Sequence, residues 1–163
     1  MTQQKTNWSR RKFMKAAAIA GMGSVVTSVT GRAEAAEQTG RAAVDVLESV
    51  PESDELPMAY SNLAQLAMLA QELEPAVEWS TKAIDAARQR DDLSTLAHAL
   101  NNLGSALLRV GDMAGFDLLR ESLDIARQHH FDDHAGRAYS NLIWTALDYR
   151  MYDRADEYLT EGI

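Results

Sequence analysis

The chain has 163 residues, of which 46% are apolar, enough for one domain with a sizeable core. Residues that favour helices are common and there are only three Pro, so the composition predicts an all-α fold. It contains no Cys, which excludes a disulfide framework, a thiolate metal site, a cysteine nucleophile and a lipid-anchored cysteine. The net charge is −8, and residues 36–163 alone carry 23 acidic against 10 basic side chains, so no nucleic acid or anionic lipid is expected as a partner.

The N-terminal segment resembles a twin-arginine export signal. Arg10 and Arg11 are adjacent and Phe13 follows, as in the motif that the export receptor reads. Residues 16–30 are weakly apolar and interrupted by Gly, Ser and Thr, so they are too short and too polar for a membrane span, which needs roughly 20 apolar residues. The resemblance implies export to the periplasm or the exterior of a bacterial cell. A basic amphipathic N-terminus that is retained is the competing interpretation.

A small-x-small cleavage site follows this segment. Ala33 and Ala35 flank Glu34, so cleavage is predicted after Ala35, leaving residues 36–163 without a membrane anchor. The twin-arginine route often carries cofactor enzymes. However, no Gly-rich phosphate loop, haem motif or Cys cluster follows the signal, so no cofactor is predicted.

Residues 36–163 contain an internal repeat. The stretches 60–64, 100–104 and 139–143 (YSNLA, LNNLG and YSNLI) align at spacings of 40 and 39 residues, and a second apolar stretch follows each after about 20 residues. Apolar residues recur at the i, i+3, i+4, i+7 spacing of amphipathic helices. The pattern predicts a solenoid built from a half hairpin and three hairpins, at 40–50, 56–89, 94–129 and 134–163.

Residues that favour helix ends accompany this period. Pro75 fits a first-turn position, Asp112 and Asp153 fit N-caps, and Gly111 fits the left-handed residue after a helix. In the half hairpin, one apolar side is predicted from Ala43, Val46, Leu47 and Val50.

The repeat unit resembles a tetratricopeptide repeat. The first unit has small and apolar residues where that pattern has them, at Tyr60, Leu63, Ala64, Ala67, Ala76 and Ala83. The third unit repeats them with Tyr139, Leu142, Ile143, Ala146, Ala155 and Gly162, and the middle unit retains Leu103, Gly104 and Ser122.

This resemblance implies a right-handed superhelix of about 3.5 hairpins, with Gly104 where two helices nearly touch. Two features depart from the pattern. Its late Pro is missing, and the period exceeds the usual 34 or so, which places the extra residues in longer loops at 89–93 and 129–133.

The long period and the segments 59–64 and 96–104 also resemble the helical-repeat region of large bacterial ATP-dependent transcription regulators of the maltose-activator type. In that family this region receives an inducer or a partner and does no chemistry. Two functions are therefore implied: an exported scaffold that binds a protein or peptide, or a truncated sensor segment of a cytoplasmic regulator with no independent activity.

The first helices of tetratricopeptide hairpins line a concave groove, so the resemblance implies a set of groove residues. They are Gln65, His98, Asn101, Asn102, Arg109, Arg137, Asn141 and Trp144. Amide and guanidinium groups suit the backbone or carboxylate of an extended peptide, and an indole suits an aromatic anchor.

Several of these residues have two interpretations. Asn62, Asn102 and Asn141 recur at equivalent places, and they either grip a ligand backbone or hydrogen-bond neighbouring helices. Trp144 either packs between hairpins or forms an exposed anchor. Asn102 and Arg137 match part of the carboxylate clamp of chaperone-binding repeats, but the remaining positions do not, so a true clamp is not predicted.

No catalytic or metal site is predicted. The segment 129–134 (HHFDDH) has metal-ligand residue types, but they would share a face only if a helix continued through it, and a loop is expected there. The sequence has no Gly-x-Ser-x-Gly, His-Glu-x-x-His or phosphate-loop motif, which indicates that the protein is not an enzyme.

The last helix is predicted to be short, roughly 153–163, with no further helix to shield it. Apolar side chains of the last hairpin should then be partly uncovered, namely Leu142, Ala146, Tyr149, Leu159 and Ile163. We expect this hairpin to fray, or to pair with a partner or a second copy as a homo-oligomer.

Overall fold

The computed structural model describes residues 23–50 and 53–162, with side chains from residue 34 onward. This part of the chain folds into helices joined by short turns and contains no strand, which confirms the predicted all-α class. Its seven helices are α1 (Gly23–Glu48), α2 (Leu56–Ala70), α3 (Leu73–Gln89), α4 (Leu93–Arg109), α5 (Ala114–Gln128), α6 (Asp132–Asp148) and α7 (Tyr152–Glu161). None of these helices combines the length and the hydropathy needed to cross a bilayer.

The chain divides into two units, residues 1–38 and 39–163, and the packing described below is that of the second unit. The export motif at Arg10, Arg11 and Phe13 lies outside the described residues. Ala33 and Ala35 lie within α1, so the predicted cleavage point falls inside a helix.

The C-terminal part of α1 buries a different side from the one predicted. Val44 is 2% exposed and packs with Leu63 and Trp79, whereas Val46 is 63% exposed. Gly40, one turn earlier, lies against the Leu63 side chain. The buried side therefore follows Gly40 and Val44, because a helix presents residues i and i+4 on the same face.

The five turns that join α2 to α7 share one conformation. Each contains a residue with positive φ, between 54° and 90°, at intervals of 19 or 20 residues: Gln71, Asp91, Gly111, His130 and Arg150. The next residue in each case donates its N–H to the carbonyl five positions earlier, over 2.8–3.0 Å. This is the Schellman arrangement, in which a left-handed residue ends a helix and satisfies its last carbonyls.

The prediction of longer loops between hairpins is wrong. Only three residues separate α3 from α4, and three separate α5 from α6. The extra residues of the repeat extend the helices instead, since a Schellman turn needs few residues and a longer amphipathic helix buries more apolar area. The left-handed Gly111 is confirmed, with φ of 90°.

The predicted N-caps are displaced. Asp112 lies one residue before the N-cap Met113, although its carboxylate still accepts the N–H of Ala114 at 3.0 Å. Asp153 is not an N-cap, because α7 begins at Tyr152 and Asp153 lies in its first turn. There its negative charge is favourable next to the positive end of the helix dipole.

Consecutive helices pack against each other from α2 to α7, and α2 also contacts α4, as α4 contacts α6. Within the described chain, the backbones of α3, α5 and α7 do not approach one another in this way, although the ion pairs Arg88–Glu121 and Arg127–Glu161 bridge them. The first helices α2, α4 and α6 therefore form a contiguous layer, here called the first-helix layer. Its central member, α4, touches four other helices.

Two glycines let α4 and α5 approach closely. A Cβ at Gly104 would lie 2.7 Å from the carbonyl oxygen of Gly115, and a Cβ at Gly115 would meet the carbonyl oxygen of Gly104. The close contact predicted at Gly104 is present, and its partner is a second glycine.

The last hairpin is better covered than predicted. Leu142 and Ala146 are both 0% exposed, because side chains of α4, α5 and α7 enclose this part of α6. Tyr149 and Leu159 are exposed, as expected. Ile163 lies outside the described residues.

Candidate functional site

A stripe of polar side chains runs along α4 in the middle of the first-helix layer. His98, Asn101, Asn102 and Ser105 follow the i, i+3, i+4, i+7 spacing, so they share one side of the helix. Because α4 has α2 on one side and α6 on the other, these residues contact both neighbours. His98 is 4% exposed, Asn101 2% and Asn102 0%.

Toward α2, the polar contacts converge on Ser61, which is fully buried. The side-chain amide of Asn102 donates to the Ser61 carbonyl at 3.0 Å and reaches its Oγ at 3.4 Å. Ser61 Oγ and His98 Nδ1 are 2.8 Å apart. A hydroxyl can both donate and accept, so Ser61 Oγ pairs with His98 Nδ1 in either tautomer of the ring.

Toward α6, two further contacts join the helices. Asn141 donates from Nδ2 to Asn101 Oδ1 at 3.1 Å, and Ser94 Oγ lies 3.1 Å from His134 Nε2. The rings of His98 and His134 have centroids 5.7 Å apart. Polar residues thus span the three first helices, and we call this group the polar cluster. Its members are Ser61, Ser94, His98, Asn101, Asn102, His134, Arg137 and Asn141.

Burial keeps both histidines of the polar cluster neutral at pH 7. Desolvation, followed by the positive charge of Arg137 and the nearby His134, lowers the pKa of His98 to about 4. Desolvation and then Arg137 also lower the pKa of His134, against the opposing effect of Asp133 and Asp92. Arg137 therefore lies close enough to both rings to disfavour their protonation.

The cluster leaves several polar atoms without partners. Within the described chain, buried atoms that lack a hydrogen bond include Asn101 Nδ2, Asn102 Oδ1, Ser105 Oγ, His134 Nδ1 and Arg137 Nη1. Buried polar groups are normally paired, because an unpaired one costs about 1–3 kcal/mol. The polar cluster and Ser105 of the same stripe therefore contain five buried polar atoms that the described chain does not satisfy.

The predicted groove residues divide into three groups. His98, Asn101 and Asn102 are enclosed between helices and are not presented to solvent, which corrects their assignment as open groove residues. Gln65, Arg137 and Asn141 are half-buried, and the last two belong to the polar cluster. Arg109 and Trp144 are exposed, Trp144 by 68%.

The contacts decide between the two interpretations that the sequence leaves open for the three Asn residues and for Trp144. Asn102 and Asn141 hydrogen-bond neighbouring helices, whereas Asn62 is exposed, so the three do not form one ladder of equivalent groups. Trp144 is not packed between hairpins, because most of its surface is exposed.

Sequence reasoning missed Ser94 and His134 as members of the cluster. Ser94 and His134 lie 40 residues apart, as do Asn101 and Asn141, which is one more than the 39-residue offset between the second and third repeats. Residues one position out of register on these first helices therefore contact each other, and this spacing could have identified both pairs. A longer spacing of 41 residues separates Tyr149 from Leu108, whose carbonyl accepts from the Tyr149 hydroxyl at 2.8 Å.

In the described residues, those of the polar cluster included, no group of three or more His, Asp or Glu side chains is arranged to hold a metal ion. An open pocket of about 530 Å³ lies at the turn before α7, lined by Met113 and residues 150–154. It shares no residue with the polar cluster.

A scan against models of protein families finds no match to the chain, and a search of curated proteins finds no significant relative.

Proposed function

We propose that this protein is a tetratricopeptide-like scaffold that binds a protein or peptide partner through its first-helix layer and has no catalytic activity. The observation that carries the proposal is a stripe on α6. Arg137, Asn141 and the exposed Trp144 follow at i, i+4 and i+7, so a cation, an amide and an indole share one side of the helix. Arg, amides and Trp are the groups that anchor peptides at interfaces.

The helix contacts support a superhelical arrangement of the tetratricopeptide kind. First helices approach first helices with their backbones, while the second helices make no such backbone approach and are linked by side chains, as in the ion pairs Arg88–Glu121 and Arg127–Glu161. Closer packing in one layer than in the other curves a stack of hairpins. The small residues at Gly104 and Gly115 permit the close approach within a hairpin that this repeat requires.

We further propose that the protein is exported by the twin-arginine route. The support is the sequence around Arg10 and Arg11 together with the site at Ala33 and Ala35. Replacing both arginines with Lys should hold the precursor in the cytoplasm, as seen by cell fractionation and the size of the chain. Unchanged export of this double variant contradicts the proposal, and a cytoplasmic wild-type chain favours the regulator-segment alternative.

The binding surface is tested with a partner captured from the exported fraction. Trp144→Ala should weaken its binding about tenfold or more, since an exposed indole at an interface is a typical hot spot. Because Trp144 lies mostly in solvent, the melting temperature should change little.

The matched control is Tyr152→Ala. Tyr152 is another exposed aromatic, 60% accessible, but it belongs to the second helix α7. The proposal requires that this variant bind normally. Loss of binding in Tyr152→Ala with full binding in Trp144→Ala would move the site to the second-helix side.

A further inference from the structure

Exposed apolar side chains gather where the turn between α4 and α5 lies beside the turn between α6 and α7. Val110 and Met113 come from the first turn, Tyr149 and Tyr152 come from the second, and all four are exposed. We call these four residues the turn patch. Single exposed apolar residues are common on protein surfaces, whereas a group of them indicates a binding site.

Contacts of one tyrosine hold the two turns next to each other. The Tyr149 hydroxyl donates to the Leu108 carbonyl at 2.8 Å, and a Cβ at Gly111 would lie 3.9 Å from that hydroxyl. The Tyr149 ring also packs edge-on against Phe116, with the ring centroids 6.4 Å apart. The turn patch is therefore formed before any ligand binds, and a preformed surface loses less conformational entropy on binding.

The open pocket of about 530 Å³ lies at the turn patch. Met113 and Tyr152 line it, together with Met151, which is half-buried. Two thioethers and a phenol ring suit an apolar or aromatic group, because methionine adapts its shape to what it contacts. The volume lies within the range of small-molecule sites, about 300–1,000 Å³, so the pocket suits a small molecule better than an extended peptide.

The charged side chains that line the pocket favour an anion. Arg150 and Arg154 face a single carboxylate there, that of Asp153. In the described residues, neither arginine has a carboxylate within ion-pair distance. Residues 36–163 carry 23 acidic against 10 basic side chains, so the pocket reverses the sign of the charge around it. Such a local reversal attracts an anion to this place on the surface.

Two further features increase this attraction. The Arg154 guanidinium lies over the Phe116 ring, 5.8 Å from its centroid, and a guanidinium stacked on a ring keeps the N–H donors at its edge available. Helix α7 begins at Tyr152 without a side-chain cap, so the N–H groups of its first turn lie beside the pocket. The pocket and its two arginines supply the site, and the helix end strengthens it.

We propose that this pocket binds a small organic anion with an apolar or aromatic body. Arg150 and Arg154 hold its anionic group, which is a carboxylate or a phosphate. The apolar body contacts Met113, Met151 and Tyr152. The site is separate from the first-helix layer and does not depend on the partner-binding function proposed above. Because both arginines are exposed, the affinity should fall as the salt concentration rises.

The experiment follows the methionine methyl signals of the full chain by NMR while small probes are added. Phenylbutyrate carries a ring and a carboxylate, and phenylethyl phosphate carries a ring and a phosphate. Phenylbutyramide lacks the charge, and butyrate lacks the ring. We expect the two anions with a ring to shift the Met113 and Met151 signals, and each control probe to bind about tenfold more weakly or less. The internal reference is Met68, which is buried on α2.

Arg150→Gln and Arg154→Gln should each weaken phenylbutyrate binding about tenfold, because each removes a charge-assisted hydrogen bond. Arg150→Gln tests the site by itself if Arg154→Gln, which loses the contact with the Phe116 ring, does not fold. The matched control is Arg88→Gln on α3, whose exposed ion pair contributes little to stability, and its affinity should equal that of the wild type.

Equal affinities for phenylbutyrate and phenylbutyramide, or unchanged affinity in both arginine variants, would overturn the proposal. So would a shift of the Met68 signal as large as those of Met113 and Met151. A dimer that Tyr152→Ala dissociates, in a chain that does not bind phenylbutyrate, would show that a second copy covers the turn patch, and would overturn the proposal as well.

The relative affinity of phenylbutyrate and phenylethyl phosphate identifies the anionic group. Trp144→Ala, which tests the partner-binding surface, should bind phenylbutyrate as tightly as the wild type does. A captured partner that needs Trp144 in a chain that does not bind phenylbutyrate would overturn the anion site and leave the scaffold function standing.

Discussion

At the scale of single residues, the polar cluster holds the first helices together and also contains the candidate site. His98 and Asn102 are tied to Ser61, so they position α4 against α2. Asn101 Nδ2 on α4 and Arg137 Nη1 on α6 are buried donors without a hydrogen bond. The side of α4 that faces α2 is therefore structural, and the side that faces α6 is the candidate site.

Asn102→Ala should destabilise the protein by about 1–3 kcal/mol, because it removes a buried hydrogen bond and leaves a void between α2 and α4. Urea unfolding measures the change. The control is Asn62→Ala, at the equivalent but exposed position, where a change within about 0.5 kcal/mol is expected. If both variants matched the wild type, the contact between Asn102 and Ser61 would contribute nothing to folding.

Stability should fall as the pH drops from 6.5 toward 4. The pKa of His98 is about 4 in the folded protein, below the 6.5 of an ordinary histidine, so the unfolded chain binds more protons in this window. The contribution of the neutral ring is complete above pH 6.5 and is lost on acidification, by on the order of 3 kcal/mol. His134, whose pKa is also lowered, acts in the same direction.

Unfolding by urea at pH 7 and pH 5 measures this dependence. His98→Gln should show a smaller difference between the two values, whereas His129→Gln, at an exposed ring, should show the wild-type difference. The same pH dependence in His98→Gln and the wild type would mean that His98 does not cause it.

At the scale of the helices, two features determine the geometry of the repeat, namely the turns between helices and one contact between two glycines. The Schellman turns reverse the chain every 19 or 20 residues, and four of the five use a residue other than Gly in the left-handed conformation. The Gly104–Gly115 contact brings α4 and α5 together backbone to backbone. The turns determine where each helix ends, and the glycines determine how closely one pair packs.

Gly104→Ala should destabilise the protein by about 1–3 kcal/mol, since the new methyl group would lie 2.7 Å from the Gly115 carbonyl oxygen, which backbone cannot easily vacate. The control is Gly136→Ala in α6, where a Cβ meets nothing within 4 Å and helix propensity should raise stability by up to about 1 kcal/mol. Thermal melting compares the two. Equal melting temperatures for both variants would contradict the close contact.

At the scale of the whole molecule, stability should be graded along the stack. The backbone of α4 approaches four helices, whereas α7 has ten residues and its backbone approaches only α6. Segments with few buried contacts open at lower free energy than those in the centre of a domain.

Hydrogen exchange should therefore be slowest in α4 and fastest in α7 among α2–α7. The measurement is made at several protein concentrations, since pairing of two copies through the last hairpin would slow exchange in α7 as concentration rises. Slow exchange throughout α7 in a protein that stays monomeric would contradict this gradient.

Much of the helix pattern could be read from the sequence. The apolar period located every helix from α2 to α7 within a few residues, because burying an amphipathic face requires that spacing. The alignment of 60–64 with 100–104 and 139–143 likewise placed Gly104 at a close contact, since a glycine in a repeated apolar position leaves room for a neighbouring backbone.

The sequence by itself determined the helical class, the repeat period and the set of polar residues on the first helices, because these depend on local spacing and on residue chemistry. The tertiary structure alone decided which of those polar residues are available to a ligand. Asn62 and Asn102 occupy equivalent positions in their repeats, yet one is exposed and the other fully buried, since α4 has a first helix on each side. Burial and the charge of Arg137 likewise lower the pKa of His98, and both arise from residues that lie far apart in the chain and meet only when the hairpins stack.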